Sequence, residues 1–217
     1  MASCRHVVWN CGRTGPRVFD AVILTAVASA IDIPDLIDAG PVSLRPLTRD
    51  DRPRVHRWLN DPAVMPFWSG LDQPLSEPES IEWVERFLRE GVSLRCLVIE
   101  TPERPVGFIE LSRQPGDRNY GHLAEIDICI GEPSEWERGY GSAALSALLR
   151  WLFTDAGIQR AFLQPRVSNK RALHVYEKVG FRREGVLRRA DYTDGEYNDA
   201  VMMAALRDEW LTEFGDA

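Results

Sequence analysis

The residues best suited to chemistry lie around a glycine turn in the second half of the chain. Residues 136–141, Trp-Glu-Arg-Gly-Tyr-Gly, separate an apolar run that is typical of a strand from a long apolar helix. Glycine lets the backbone approach a ligand closely, and the unpaired N–H groups of a first helical turn favour an anion. The segment therefore predicts a phosphate cradle, although a simple tight turn has the same spacing.

Two carboxylates precede this turn. Glu125 and Asp127 stand at positions i and i+2 of the predicted strand, so both side chains lie on one face of the sheet. Neighbouring carboxylates can raise the pKa of one member, and they attract a cation. The pair therefore predicts a general base or a cation-binding site, and an ion pair with arginine or lysine is the structural alternative.

A second pair of candidates lies on the helix predicted after the strand at 160–164. Asn169 and Tyr176 are seven residues apart, which places them on one helical face about two turns apart. Gly180 is expected to end that helix in a left-handed cap. A phenol at such a position can transfer a proton, but Tyr176 could equally be a half-buried core residue.

Composition narrows the class of protein. The chain has 217 residues, enough for one sizeable core, and a formal net charge of −7, which argues against nucleic-acid binding. The charge is compatible with a small cationic substrate. The four histidines show no metal-ligand spacing and the four cysteines no paired spacing, so we expect reduced thiols and no metal.

The first forty residues are predicted to be an N-terminal extension. Arginines precede an apolar run over 21–31, and Ala28-Ser29-Ala30 resembles a signal-peptidase site. Asp20 abuts the run, however, and the run is too short to span a membrane as a helix. We therefore predict a partly helical or poorly ordered extension over 1–40, a single domain over 41–212, a short tail over 213–217, and a cytoplasmic protein.

Hydrophobic periodicity predicts alternating strands and helices in that domain. One predicted helix has its N-cap at Thr48, and two more run over 80–89 and 142–154. A fourth extends from a cap at Ser168 or Asn169 to 179. The predicted strands lie at 42–45, 96–100, 106–111, 124–130, 160–164, 181–187 and 197–206. This order predicts an α/β fold with a mixed sheet flanked by helices.

The glycine turn and the motif Asn-x-x-Ala-x-x-x-Tyr-x-Lys-x-Gly-Phe over 169–181 together resemble the GNAT superfamily of acetyl-coenzyme A-dependent N-acetyltransferases. The resemblance covers about residues 42–211. It is strongest to the branch that contains ribosomal-protein, polyamine and aminoglycoside 6′-N-acetyltransferases. It implies the GNAT fold, with a mostly antiparallel central sheet. Trp136 departs from the glutamine or arginine that usually opens the pyrophosphate motif.

The resemblance also implies roles for particular residues. Asp127 would be the base that takes the proton of the amine, with Glu125 as the alternative or a helper, and Tyr176 would protonate the departing coenzyme A (CoA) sulfur. Acetyl-CoA would be bound by strand and turn backbone and by Asn169, and Lys170 and Arg171 would be candidates for its 3′-phosphate. These cofactor-binding candidates are Ile128, Cys129, Ile130, Arg138, Gly139, Tyr140, Gly141, Ser142, Asn169, Lys170 and Arg171.

The acceptor pocket is less defined by the sequence. Phe67 and Trp68 resemble the acceptor-lining segment of this branch, where an aromatic ring can stack on a sugar or a cationic amine. Trp83 and Tyr120 are further aromatic candidates. We expect a small-molecule amine, either aminoglycoside-like or polyamine-like, and a homodimer is possible.

Three other functions compete with this one. The amine could be a protein N-terminus, or the chain could be a CoA-binding sensor without catalysis. A dinucleotide-dependent oxidoreductase also fits the glycine spacing. The strand at 160–164 lacks the terminal acidic residue that would hold a ribose hydroxyl, so we set that class aside.

Overall fold

In the part of the chain that the structure describes, an eight-stranded sheet and five α-helices form the body of the protein. The computed structural model describes residues 33–68, 73–89, 94–112, 122–193 and 195–215. The strands are β1 (Ile37–Asp38), β2 (Ser43–Pro46), β3 (Leu94–Glu100), β4 (Pro105–Ser112), β5 (Leu123–Ile130), β6 (Arg160–Leu163), β7 (Arg182–Thr193) and β8 (Glu196–Leu206). The helices are α1 (Arg52–Leu59), α2 (Glu77–Leu88), α3 (Tyr140–Thr154), α4 (Lys170–Lys178) and α5 (Arg207–Phe214).

The strand order in the sheet is β1-β2-β3-β4-β5-β6-β8-β7, and β5 with β6 is the parallel pair. All other neighbouring strands run antiparallel. The predicted fold class, a mixed and mostly antiparallel sheet flanked by helices, is therefore confirmed.

Side-chain alternation along the central strands divides the core into two layers. On one face, Leu97, Ile109 and Ile126 pack with the buried side of α3. On the other face, Val98 and Phe108 pack with α1 and α2. Successive strand residues point to opposite faces, so one central sheet supplies both layers.

The parallel pair β5–β6 is short and then opens. Its paired residues are Leu123 with Arg160, Ala124 with Ala161, and Glu125 with Phe162. On its other side, β5 stays paired with β4 as far as Ile130. Beyond Glu125, therefore, one edge of β5 faces a gap in the sheet rather than a neighbouring strand in the described part of the chain.

Several element boundaries differ from the predictions for local reasons. Helix α2 begins at Glu77, three residues before the predicted start, because Ser76 and Glu79 form a capping box. Strand β7 continues to Thr193, well past the predicted end at 187. Its pairing with β8 shifts in register between Leu187 and Asp191, where Arg189 has φ +54°, and then resumes. Helix α5, which was not predicted, buries Trp210.

The N-terminal prediction can be compared with the structure only from residue 33. Strand β1 lies within the predicted extension and pairs with β2. The apolar run over 21–31, Cys4 and Cys11 lie outside the described residues. Cys96 and Cys129 are free and buried. No helix among the described residues is both long enough and apolar enough to cross a membrane.

One buried ion-pair cluster joins the start of α1 to the sheet. Asp51 is fully buried and accepts hydrogen bonds at 2.9 Å from two Arg45 nitrogens and from the Thr48 backbone N–H. Arg54 also pairs with Asp51. Burial alone would raise the pKa of Asp51, but the hydrogen bonds and the Arg45 charge outweigh it and lower the pKa to about 2.

Replacing Asp51 should therefore destabilise the protein without altering the cavity described below. We expect Asp51→Asn to lower the free energy of unfolding by about 3 kcal/mol, because it leaves Arg45 without its main partner. The folded-state pKa lies below the ordinary value. Wild-type stability should thus fall as the pH drops from about 4 towards 2, and the variant should show a shallower slope.

Denaturant unfolding across that pH range measures both effects. Asp50→Asn is the matched control, because Asp50 is the exposed neighbour, and it should change stability by less than about 0.5 kcal/mol. Equal stability of the two variants would contradict the assigned role of Asp51.

Candidate active site

A cavity of about 810 Å³ opens where β5 and β6 separate. It is lined by the second half of β5, the turn before α3, one side of α4, the segment after α1, and part of α2. Of the residues that the sequence predicted for the site, the cavity brings together Phe67, Trp68, Asp127, Ile128, Cys129, Ile130, Gly139, Tyr140, Gly141, Ser142, Asn169, Arg171 and Tyr176.

The glycine turn has the geometry of an anion cradle. Gly139 is the N-cap of α3 with φ +83°, a left-handed conformation that suits glycine. The first intrahelical bond runs from Ala143 N to Gly139 O at 3.0 Å, so the N–H groups of residues 140–142 precede it and have no intrahelical partner. These groups lie at the cavity wall, where a helix N-terminus favours negative charge.

Trp136 attaches this turn to the sheet. Its indole Nε1 donates to the backbone oxygen of Ile130 at 2.7 Å. The aromatic residue that departs from the usual pyrophosphate motif is therefore a fixed part of the cavity wall.

The side chain of Arg138 is not part of the cavity wall. It is 58% exposed and pairs with Glu135 at 3.3 Å. Only its backbone N–H can serve a ligand in this arrangement. The sequence prediction for Arg138 concerns this backbone N–H, and it stays a prediction.

Asp127 faces Glu110 across the β4–β5 ladder, and both line the cavity. Asp127 is open to the cavity, but protein surrounds it on its other sides. Burial, and next the charge of Glu125, raise its pKa to about 6. Burial and then the charge of Asp127 raise the pKa of Glu110 to about 8, although Arg86 opposes this at 3.6 Å. At neutral pH, Asp127 is thus the ionised member and Glu110 the protonated one.

Glu125 lies on the same face as Asp127 but outside the cavity wall. It accepts a hydrogen bond from Gln164 Nε2 at 3.3 Å and another from Ser112. Burial raises the pKa of Glu125. Of the two predicted carboxylates, only Asp127 has direct access to a ligand in the cavity. Glu125 acts on Asp127 through its charge.

Tyr176 and Asn169 occupy one side of α4, as their spacing predicted. Tyr176 is 8% exposed, and burial followed by the charge of Asp127 raises its pKa, which keeps the phenol protonated at neutral pH. Asn169 is the N-cap of α4 and accepts from Ala172 N at 3.1 Å. The predicted left-handed cap is also present, with Gly180 at φ +99°.

The aromatic candidates form part of the cavity wall. Trp68 meets Phe108 edge-on with ring centroids 5.0 Å apart, and Trp83 meets the same ring at 5.1 Å. Phe67 is 46% exposed. Trp83, the weaker sequence candidate, also lines the cavity, whereas Tyr120 lies outside the described residues.

The two basic candidates of α4 differ in position. The guanidinium of Arg171 lies over the Trp136 ring and near the Phe67 ring, and Arg171 lines the cavity. Lys170 does not line it.

Sequence reasoning missed several residues of the cavity wall, among them Glu110, Arg86 and Arg166. Glu110 could have been found as the one charged residue in the apolar stretch Val106–Leu111, on the face that it shares with Phe108. Arg86 and Arg166 carried no comparable signal. Arg166 is 9% exposed and donates to Pro66 O and to Thr193 Oγ1, both at 2.7 Å, and so fixes the loop that carries Phe67.

This arrangement can support proton transfer beside a bound anion. A carboxylate with a pKa near neutrality, a protonated phenol and an unpaired helix N-terminus share one cavity. Among the described residues, no group of three or more histidine, cysteine, aspartate or glutamate side chains is placed to hold a metal ion.

Comparison with known proteins relates this chain to a family. Residues 42–182 match the model of the acetyltransferase (GNAT) domain. The chain is 29% identical over 177 residues to spermidine N(1)-acetyltransferase of Escherichia coli K12, covering 81% of this chain and 91% of that protein. It is 26% identical over 160 residues to aminoglycoside N(6′)-acetyltransferase type 1 of Klebsiella pneumoniae, covering 69% and 78%.

Solved structures give the same relationship. Spermidine N-acetyltransferase from Vibrio cholerae, in a complex with CoA and spermine, is similar with a TM-score of 0.68 and 26% identity, over 79% of this chain and 98% of that one. The fold, the separated β5–β6 pair with its glycine turn, and the family match together show that the chain belongs to the GNAT family of acetyltransferases.

Proposed function

We propose that the protein transfers the acetyl group of acetyl-CoA to a primary amine of a small cationic molecule, with polyamines as the preferred class. The observation that carries this proposal is the position of Asp127 and Tyr176 in one cavity, beside the unpaired N-terminus of α3. A module that only binds CoA needs the helix N-terminus but has no use for the two proton-transfer groups.

The cofactor fits the groups present on this cavity wall. The N–H groups at the start of α3 suit its pyrophosphate, and the unpaired edge of β5 offers backbone groups to the amides of pantetheine. The side-chain oxygen of Asn169 caps α4, so its amide nitrogen remains available to pantetheine. When bound, acetyl-CoA supplies the activated acetyl group, and the chain supplies the proton transfers.

The first proton transfer removes a proton from the amine. A primary ammonium has a pKa near 10, so the attacking amine must be deprotonated at neutral pH. Asp127, with a pKa of about 6, is ionised there and faces the cavity, so it can accept this proton directly or through a water molecule. The nitrogen then attacks the thioester carbonyl, and a backbone N–H of β5 would stabilise the oxyanion.

The second proton transfer completes the reaction. As the carbon–sulfur bond breaks, the electron pair goes to sulfur, and a thiolate forms that needs a proton. Tyr176 is buried at the cavity wall and protonated at neutral pH, so it can donate this proton. After the attack the nitrogen still carries one proton more than the amide needs, and this proton returns through water to Tyr176. The proton that Asp127 has accepted goes to solvent, so both groups are restored.

Three features favour a polycation as the acceptor. Asp127 and Glu110 place two carboxyl groups at the cavity wall; Asp127 is ionised at neutral pH, and Arg86 lies 3.6 Å from Glu110. Trp68 and Trp83 add aromatic surfaces, which attract ammonium groups. The related enzymes are named for spermidine and aminoglycosides, both of them polycationic amines.

We further propose that the enzyme is cytoplasmic and forms a homodimer. The β7–β8 hairpin exposes four large apolar side chains, Val186, Leu187, Tyr192 and Tyr197, on the edge of the sheet. Exposed apolar groups at a sheet edge favour association with another chain. Light scattering of the purified protein measures the assembly, and a monomeric mass at all concentrations would exclude it.

An assay of thiol release from acetyl-CoA tests the proposed function. The amine panel should contain spermidine, spermine, an aminoglycoside, a neutral-tailed monoamine and a peptide with a free N-terminus. We expect kcat/KM to be highest for the polyamines and lowest for the monoamine, because a second cation can then lie near Asp127 and the aromatic rings. CoA binding without turnover of any amine would instead indicate a sensor, and preference for the peptide would indicate a protein acetyltransferase.

Removal of the Tyr176 hydroxyl should separate catalysis from binding. We expect Tyr176→Phe to lower kcat by about 100-fold, the usual scale of a lost general acid, and to leave the Kd for acetyl-CoA within about twofold. Stopped-flow turnover and calorimetry measure the two quantities. Parallel losses in rate and affinity would show that the phenol binds the cofactor rather than protonating sulfur.

The pH dependence of kcat/KM should identify the base. Activity is expected to rise with pH through about 6, because Asp127 must lose its proton before it can accept another. Asp127→Asn should lower kcat/KM by about 100-fold or more and remove this limb. Glu125→Gln is the matched control. It should stay active and move the limb to lower pH, because the Glu125 charge raises the pKa of Asp127.

The opposite pattern would assign the base elsewhere. If Glu125→Gln abolished the limb and Asp127→Asn retained it, Glu125 would be the base. A limb near 8 that disappears in Glu110→Gln would assign the role to Glu110.

A further inference from the structure

The contact between Arg171 and Trp136 is not explained by the acetyl-transfer chemistry. The Arg171 Cζ atom lies 3.7 Å from the centroid of the Trp136 ring and 5.5 Å from that of Phe67. Guanidinium nitrogens extend about 1.3 Å from Cζ, so an edge-on approach at 3.7 Å would bring a nitrogen well inside van der Waals contact with the ring. The guanidinium therefore stacks face-on on the indole.

Face-on stacking leaves the N–H donors of Arg171 directed outward in the plane of the guanidinium. Within the described ranges, no oxygen accepts a hydrogen bond from Arg171, and no carboxylate pairs with it. Because a guanidinium carries five N–H donors and no acceptor, an edge without protein partners is suited to an anion. Arg171 lines the cavity, so this edge is accessible to a bound ligand.

The platform on which Arg171 stacks is itself fixed. The Trp136 indole is tethered through Nε1 to Ile130 O, and the residue stands three positions before Gly139 at the start of the anion cradle. An anion at the cradle would therefore lie next to a guanidinium whose plane the indole sets. Phosphate oxygens match the paired N–H groups of a guanidinium edge.

We propose that Trp136 is a positioning residue that presents the edge of Arg171 to the pyrophosphate of the cofactor. This inference rests on the proposed function, which supplies the pyrophosphate. Trp136 carries no charge and makes no hydrogen bond to the anion. Its effect on cofactor affinity passes through Arg171, and the Phe67 ring extends the same stack into the acceptor side of the cavity.

A double-mutant cycle on CoA affinity tests this dependence. Calorimetry with CoA should show about tenfold weaker binding for Arg171→Gln and a similar loss for Trp136→Leu. The double variant should lose no more than about tenfold, because Trp136 has no effect once the guanidinium is gone. Trp136→Phe keeps an aromatic face and should retain most of the affinity. Lys170→Gln is the matched control, since Lys170 adjoins Arg171 but does not line the cavity.

The same titrations with 3′-dephospho-CoA locate the contact. This compound keeps the pyrophosphate and lacks the 3′-phosphate, so every variant should lose affinity for it by the same factor as for CoA.

Two results would overturn the inference. Additive losses, reaching about 100-fold in the double variant, would mean that Trp136 binds the cofactor independently of Arg171. A loss with CoA that disappears with 3′-dephospho-CoA would move Arg171 to the 3′-phosphate. Neither result depends on turnover. Failure of the proposed function would appear separately, as intact CoA binding without acetylation of any amine.

Discussion

The early end of the β5–β6 pairing is the constraint on which the rest of the structure depends. Two parallel strands that stay together for three residue pairs and then separate leave one edge of β5 without a strand partner. Backbone N–H and C=O groups need hydrogen-bond partners, so this edge suits an extended ligand that can pair with it. The turn before α3 and the buried side of α4 close around the same gap.

Placing carboxylates at this gap produces the second property of the site. Asp127 lies on the strand whose edge is open, and Glu110 faces it from β4. Burial, and next the charge of Glu125, hold the pKa of Asp127 at about 6. Burial, and next the charge of Asp127, hold the pKa of Glu110 at about 8. One fold feature thus supplies both the space for a cofactor and a carboxylate poised to exchange protons near neutrality.

The sequence predicted those parts of the site that depend on local spacing. Glycine tolerates positive φ, which predicted the turn at Gly139 and the cap at Gly180. Helical periodicity predicted the shared face of Asn169 and Tyr176. The alternating pattern of the strands likewise predicted the fold class and nearly all elements. Asp127 could be placed on a strand face because successive strand residues alternate in direction.

The remaining parts of the site depend on contacts between distant segments. The end of the β5–β6 pairing decides that Asp127, and not Glu125, lines the cavity. Gln164 donates a hydrogen bond to Glu125. Arg166 reaches Pro66 across 100 positions of sequence, and no local pattern announces such a bond. The contact of Arg171 with Trp136 similarly joins two segments that are separate in the chain.

The central claim is that one cavity holds the cofactor and a cationic amine side by side. A conjugate in which the CoA sulfur is joined through an acetyl linker to spermidine tests it directly, because this compound must occupy both parts at once. The account predicts that calorimetry will show the conjugate binding at least about 100-fold more tightly than CoA, with most of the gain lost in Asp127→Asn. An affinity equal to that of CoA would contradict the account.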